Sequence, residues 1–261
     1  MEGSKNTLAL ILNRQPYREY DSLVTIYTPD YGKLILVARG LKKLQSKLAG
    51  HLEPLTLADI MIISGKGRDY VGAALGREIY SGLRGDLNKL YYAGQAVKIF
   101  SQLVRDSQAD PRLFFLLTDW LAVLNNFSVS SISTISEPPS LPDFSREDGE
   151  LLLAFFIIKF LTELGYQPEM YKCVGCGQPV KPGKNYFSLM KGGIVCDVCL
   201  DNERQNDQLV SNSLLTISDD CVKIIRFIMN NKLDQAEKLR INKKLIRELA
   251  SLVNNFLLFN F

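Results

Sequence analysis

Histidine occurs once in 261 residues, and that scarcity narrows histidine-dependent catalysis at the outset. With His51 the only imidazole, serine- or cysteine-nucleophile chemistry has a single possible base, and no nucleophile motif stands beside it. Long apolar runs are missing too. The longest, Leu151 to Leu164, is broken by Lys159, Thr162 and Glu163. It falls short of the roughly 18 apolar residues a bilayer span needs, so it predicts a buried helix and no membrane role. The opening Met-Glu-Gly-Ser-Lys-Asn lacks the basic segment, apolar segment and small-residue cleavage site of a secretory leader, and a cytoplasmic protein is expected. No Walker-type Gly-Lys-Ser/Thr occurs, and Gly65-Lys66-Gly67 lacks the third glycine of a dinucleotide fingerprint. Nucleotide hydrolysis is therefore not expected. Low-complexity bias is absent as well: hydrophobic residues at 46% and charged residues at 23% are ordinary globular values.

Net charge is only +3, but it is unevenly spread. Residues 1–80 hold 11 Lys+Arg against 8 Asp+Glu, and the remainder is balanced. Between Asp30 and Glu53 nothing is acidic, whereas Lys33, Arg39, Lys42, Lys43 and Lys47 all fall there. This is a local basic field without internal neutralisation.

The first 80 residues alternate short β-rich runs with turn signals. Leu8 to Leu12, Leu23 to Tyr27, Leu34 to Ala38, Leu55 to Ile63 and Tyr70 to Leu75 are predicted strands. Thr28-Pro-Asp-Tyr-Gly32 and Gly65-Lys-Gly-Arg68 supply hairpin turns. Five strands without intervening helical patterns predict a small closed barrel of the OB or SH3-like kind. From Leu83 the period changes to three and four residues, predicting a core-facing helix through Leu103, and Asp110-Pro111 opens a second through Leu124. The Ser/Pro-rich stretch 128–145 predicts a surface loop. Ser145-Arg-Glu-Asp148 caps an apolar helix closed by Gly165 and Pro168. After the cysteines, Ser218-Asp-Asp220 predicts a cap for a helix through Met229, and a last helix should carry Leu239, Leu245, Leu249, Leu252 and Phe256. The expectation is an α+β protein with four parts: a barrel (1–80), a helical part (81–168), an inserted four-cysteine module (169–204) and a second helical part (205–261).

Four of the five cysteines form two Cys-x-x-Cys knuckles, Cys173/Cys176 and Cys196/Cys199, separated by 19 residues. That lies in the window of about 15–20 residues typical of four-cysteine zinc sites. Gly175 and Gly177 give the first knuckle the backbone freedom of a tight turn, and Lys191-Gly-Gly193 before the second resembles a zinc-ribbon hairpin. Four thiolates leave no open position, so the metal is expected to be structural. Cys221 sits on an apolar helical pattern and reads as core. An alternative uses His51-Leu-Glu53 as the H-x-E of a zinc deaminase. Against it, the cysteines are far away, Lys172 stands where that signature has Pro, and the second pair already completes the coordination.

The basic segment admits two readings: a solvated face, or a phosphate-tracking loop with Tyr17, Tyr20, Tyr27, Tyr31 and Tyr70 available to stack on unpaired bases. A second cluster, Lys238, Arg240, Lys243, Lys244 and Arg247, either extends such a surface or keeps the final helix soluble. A zinc-ribbon adaptor without a direct nucleic-acid role is the competing function.

Longer motifs carry a family resemblance. Arg14-Gln-Pro-Tyr-Arg-Glu-Tyr-Asp-Ser-Leu-Val-Thr25, Thr28-Pro-Asp-Tyr-Gly-Lys33, Val37-Ala-Arg-Gly-Leu-Lys-Lys43 and Leu52-Glu-Pro54 resemble the opening of the RecO family of bacterial recombination mediators. Leu164-Gly-Tyr-Gln-Pro168, the first knuckle, Tyr186-Phe-Ser188 and Gly192-Gly-Ile-Val-Cys196 with Cys199 resemble its second half, in the right order. The resemblance implies an OB fold, a helical domain and a zinc module in a DNA repair protein without enzymatic turnover. Members bind single- and double-stranded DNA, anneal complementary strands, and act with RecR and often RecF to load RecA onto DNA coated by single-strand binding protein. The acidic-hydrophobic tail of that protein is a further family partner. The basic OB surface of the family maps by motif onto Lys33, Arg39, Lys42, Lys43 and Lys47, with Arg14 and Arg18 beside them. Some relatives lack the cysteines, so the resemblance implies that zinc is not the annealing agent.

Overall fold

Apolar side chains of the β-rich runs close the N-terminal sheet around a buried interior, alternating in and out most plainly along Leu57–Ile63. The computed structural model describes residues 3–127, 144–204, 213–239 and 241–261. The five runs become β1 (Ser4–Pro16), β2 (Ser22–Thr28), β3 (Gly32–Ala38), β4 (Leu57–Ile63) and β5 (Tyr70–Glu78). They form a closed barrel in the order β1-β2-β3-β5-β4. The long β1 pairs with β4 through Ser4–Leu10 and with β2 through Leu10–Pro16, with a register shift between Ile11 and Asn13 in the second pairing. A short parallel contact, Val37 opposite Tyr70, joins β3 to β5. This is the OB-fold order, as expected from sequence. Ala9, Ile11, Val24, Ile26, Leu36, Ala58, Ile60, Ile62 and Val71 fill the interior, and Leu41 and Leu52, from the β3–β4 connection, complete it. Gly32 closes the β2–β3 turn at φ +68°, and a Cβ there would lie 2.3 Å from the Gln108 carbonyl oxygen.

Residues Met1–Asn126 make one compact unit and Phe127–Phe261 a second. In the first, three helices accompany the barrel: a single turn α1 (Ser81–Arg84), α2 (Leu87–Leu103) and α3 (Pro111–Asn126). This groups residues 81–126 with the barrel and divides the 81–168 span. Asp86 caps α2 by accepting from the Asn88 and Lys89 amides. Tyr27 of β2 meets Phe100 of α2 edge-on at 4.8 Å and stacks on Phe114 of α3 at 6.5 Å. These aromatic contacts fasten the helices to the outside of the barrel.

The second unit is built around α4 (Arg146–Glu163), whose buried residues point to nearly every side, including Leu152, Phe155, Phe156, Ile158 and Phe160. Ser145 and Asp148 form the expected capping box. A three-stranded sheet, β7-β6-β8, combines β6 (Asn185–Ser188), β7 (Gly193–Cys196) and β8 (Leu214–Ile217). Helices α5 (Asp197–Arg204), α6 (Asp219–Asn230) and α7 (Lys243–Asn260) follow in sequence. Ser218 caps α6 as expected, accepting from the Cys221 amide. Two details differ from the sequence reading. β8 is not among the predicted strands, and Leu239 lies outside the last helix, after a 3-10 turn over Leu233–Lys238. That helix starts only where the Asn242 side chain accepts from the Leu245 amide. The stretch 128–143, predicted as surface loop, and Arg240 lie outside the described residues. No helix among the described residues is long and apolar enough to cross a membrane.

Candidate nucleic-acid interface and metal centre

Three connections meet at one end of the barrel: the β1–β2 loop (17–21), the segment after β3 (39–49) and the β4–β5 turn (64–69). Backbone bonds hold them together. The Lys42 amide donates to the Tyr20 carbonyl at 3.0 Å, the Gly40 amide to Asp21 Oδ1 at 2.8 Å, and the Val37 amide to the Asp69 carbonyl at 3.0 Å. Gly40 takes φ +62°, the left-handed turn that points the following residues back over the loop.

On this scaffold the basic side chains pair with aromatic rings. The Arg39 guanidinium lies 4.1 Å from the Tyr70 ring centre, Arg18 lies 5.1 Å from Tyr17, and Lys43 Nζ lies 5.5 Å from Tyr20. Lys42 Nζ donates to the Arg18 carbonyl at 2.9 Å, and Lys47 is exposed nearby in sequence. Arg18, Arg39, Lys42, Lys43 and Lys47 are all exposed to solvent. Among the candidate stacking residues, Tyr27 belongs to the core, and Tyr31 lies at the opposite end of the β2–β3 hairpin under Lys5. Tyr17, Tyr20 and Tyr70 are the ones at the basic end.

Two predicted basic residues are engaged otherwise. Arg14 Nη1 lies 2.7 Å from Glu53 Oε1, and both line a cleft of about 360 Å³ with Lys42. Lys33 Nζ donates to the Ser101 and Val104 carbonyls at 2.8 and 2.9 Å and sits 3.0 Å from Asp106 Oδ1, with its side chain only 15% exposed. It serves as a C-terminal cap of α2, where a cation offsets the unpaired carbonyls. Sequence reasoning missed Arg68, whose guanidinium lies 5.9 Å from the Tyr17 ring, on the opposing turn with Lys66. Those residues read only as a hairpin turn, because the parallel β3–β5 contact that brings them here leaves no local mark on the sequence.

His51 Nδ1 accepts from the Gly76 amide at 3.2 Å, and Glu53 is held by Arg14. His51-Leu-Glu53 is thus a satisfied barrel segment, and the group of potential metal ligands at the cysteines does not include His51.

In the second unit, the sulfurs of Cys173, Cys176, Cys196 and Cys199 all lie within 4.8 Å of one another. None of the five cysteines is in a disulfide. The first knuckle turns at Gly177, φ +72°, whose amide donates to the Cys173 carbonyl at 2.8 Å. The second spans the end of β7 and the first turn of α5. The two are joined by backbone bonds, Val174 amide to Ile194 carbonyl and Ile194 amide to Glu169 carbonyl, at 2.8 and 3.0 Å. Gly193 permits this approach, since a Cβ would come within 2.6 Å of Val174. Burial resists ionisation of Cys173, but amides including those of Cys196, Cys176 and Gly175 outweigh it and bring the thiol down to about 6. Burial and the neighbouring thiols push Cys199 up to about 12. A tetrahedral ion with metal–sulfur bonds of about 2.3 Å separates its sulfurs by about 3.8 Å, close to the 3.9 Å between Cys176 and Cys196. The four residues therefore fit a closed tetrathiolate site. Cys221 is fully buried outside the group, and burial pushes its thiol to about 12.

Comparison with known proteins bears on both regions. The family model "Recombination protein O N terminal" matches residues 1–74, and "Recombination protein O C terminal" matches residues 140–260. The DNA repair protein RecO of Roseiflexus sp. (strain RS-1) is 30% identical over 96% of this chain and 79% of its own length. The chain belongs to the RecO family. Relatives named DNA repair protein RecO in Dehalococcoides mccartyi (strain BAV1) and Acetivibrio thermocellus are 28% and 23% identical, over 93% and 96% of this chain and 85% and 89% of theirs. A role in DNA repair and recombination follows from membership, and the OB fold of the RecO N-terminal domain agrees with the barrel.

Proposed function

We propose that this RecO family member is a non-enzymatic, cytoplasmic mediator of recombination that binds single- and double-stranded DNA through the basic end of its barrel and anneals complementary strands. It then acts with RecR, and with RecF where present, to help load RecA onto DNA coated by single-strand binding protein, whose C-terminal tail it also binds. The observation that carries this reading is the meeting of Arg18, Arg39, Lys42 and Lys43, with Arg68 opposite, on one exposed barrel end. Such a surface neutralises phosphates on both strands and leaves base edges free to pair, so sequence preference is weak. Lys33 contributes to the fold and not to this surface, because its ammonium is already surrounded by three oxygens. Cys173, Cys176, Cys196 and Cys199 hold one zinc ion with a structural role, since a closed tetrathiolate offers no position for substrate. The non-enzymatic reading is supported by that closed donor set.

Annealing of two labelled complementary oligonucleotides tests this. The wild-type chain should anneal them without nucleotide, and Lys42→Glu/Lys43→Glu should abolish the activity. If Arg18, Arg39, Lys42, Lys43 and Arg68 each meet one phosphate, log affinity for a single strand falls with log salt at a slope of about −3.5, roughly a hundredfold between 50 and 200 mM. A salt-independent affinity, or annealing untouched by charge reversal, would favour a protein–protein adaptor.

A further inference from the structure

Every tyrosine at the basic barrel end lies under a cation of this chain. Arg18 and Arg68 approach Tyr17, Arg39 lies over Tyr70, and Lys43 over Tyr20. The rings are not core: Tyr20 is 49% exposed, and Tyr17 and Tyr70 are half-buried. Tyr27, by contrast, is 1% exposed and packs on Phe100. We propose that Tyr17, Tyr20 and Tyr70 form a stacking subsite for unpaired nucleobases, covered in the free protein by Arg18, Arg39, Lys43 and Arg68. This rests on the DNA surface proposed above and adds what that surface distinguishes.

A guanidinium or ammonium over a ring occupies the π-face that a base would take. When a single strand arrives, each cation has a better partner in the phosphate, and the vacated ring has one in the base. Stacking of a base on an aromatic side chain exceeds an exposed cation–π contact, so the exchange runs forward. A duplex already stacks its own bases and offers the rings nothing, so it meets only the cations. The lysines and arginines therefore bind both forms of DNA, and the tyrosines select the unpaired one. Arg68 brings the β4–β5 turn into the site as its second wall.

Binding of the full chain to a labelled thymidine strand, an abasic strand of the same length and a blunt duplex of that length, followed by fluorescence polarisation, tests the proposal. The wild type should prefer the thymidine strand over the abasic one by about tenfold or more. Tyr20→Leu/Tyr70→Leu should remove that preference without weakening abasic or duplex binding, and Tyr20→Phe/Tyr70→Phe should retain it. Equal wild-type affinity for thymidine and abasic strands overturns the stacking subsite, and this comparison decides it even where the leucine variant fails to fold. If that equality comes with loss of all three probes in Lys42→Glu/Lys43→Glu, the DNA surface stands and only the subsite falls. If the wild type binds no probe at low salt, both fall together.

Discussion

The ammonium of Lys33 is ringed by the Ser101 and Val104 carbonyls and by Asp106, whereas that of Lys42 reaches one exposed carbonyl and faces water. Both stand in the same acid-free stretch of sequence. Nothing local separates them, because the partners of Lys33 lie about 70 residues away in sequence. Their substitutions should part cleanly. Lys33→Met leaves the Ser101 and Val104 carbonyls without their donor and should cost about 1–3 kcal/mol in urea unfolding, with DNA affinity unchanged in polarisation assays. A loss of affinity at unchanged stability would return Lys33 to the phosphate contacts. The tyrosines sort in the same way: Tyr27 and Tyr20 are both aromatic residues of the first 30, and only the packing of α2 and α3 on β2 makes one core and the other surface.

Among elements, those with strong local grammar are legible in the amino-acid sequence alone. The barrel strands declare themselves by alternation and by Pro- and Gly-marked turns, and the start of α4 by its capping box. β8 does not, since Leu214–Ile217 is four residues long and becomes a strand only by pairing with β6. The start of α7 is blurred because Leu239 keeps helical spacing with Leu245 and Leu249, although a 3-10 turn intervenes. The cysteine knuckles are fully legible, as metal-ligand spacing is itself a local pattern. What the structure adds is their mutual closure through Val174, Ile194 and Glu169 backbone bonds. Removing the metal should unravel that pairing, because four converging thiols without a cation have only weak contacts in exchange. Chelation, or Cys173→Ser, should lower the thermal midpoint and amide protection of β6 and β7, and added zinc should restore the chelated protein. An unchanged midpoint in metal-free protein would exclude a structural role.

Taken as a whole, the barrel and its helices are joined through phenols that resist ionisation. Burial, with the Asp110 charge, pushes Tyr27 up to about 12, and burial with Glu78 and Asp119 does the same for Tyr80. Each binds its proton more tightly folded than unfolded, so the folded chain holds more protons between about pH 10 and 12 and loses stability as pH rises through that window. Below pH 10 the contribution is intact. Stability should fall above pH 10 in step with the phenolate absorbance change. Tyr27→Phe should flatten part of that fall.

The same barrel also carries a history of assembly in its strand order. β1 lies between β2, its sequence neighbour, and β4, which begins at Leu57. During synthesis the β1–β2–β3 meander can form as soon as Ala38 is clear of the ribosome, but one edge of β1 stays open until β4 arrives, and β3 stays open until Tyr70 does. The ring therefore closes last, through its most distant pairings, at the step where loop-closure entropy is greatest. Until then the Ser4–Leu10 half of β1, which pairs with β4, is exposed to other chains. For this molecule the hazardous interval in folding is set by the distance along the chain from Ser4 to Glu78.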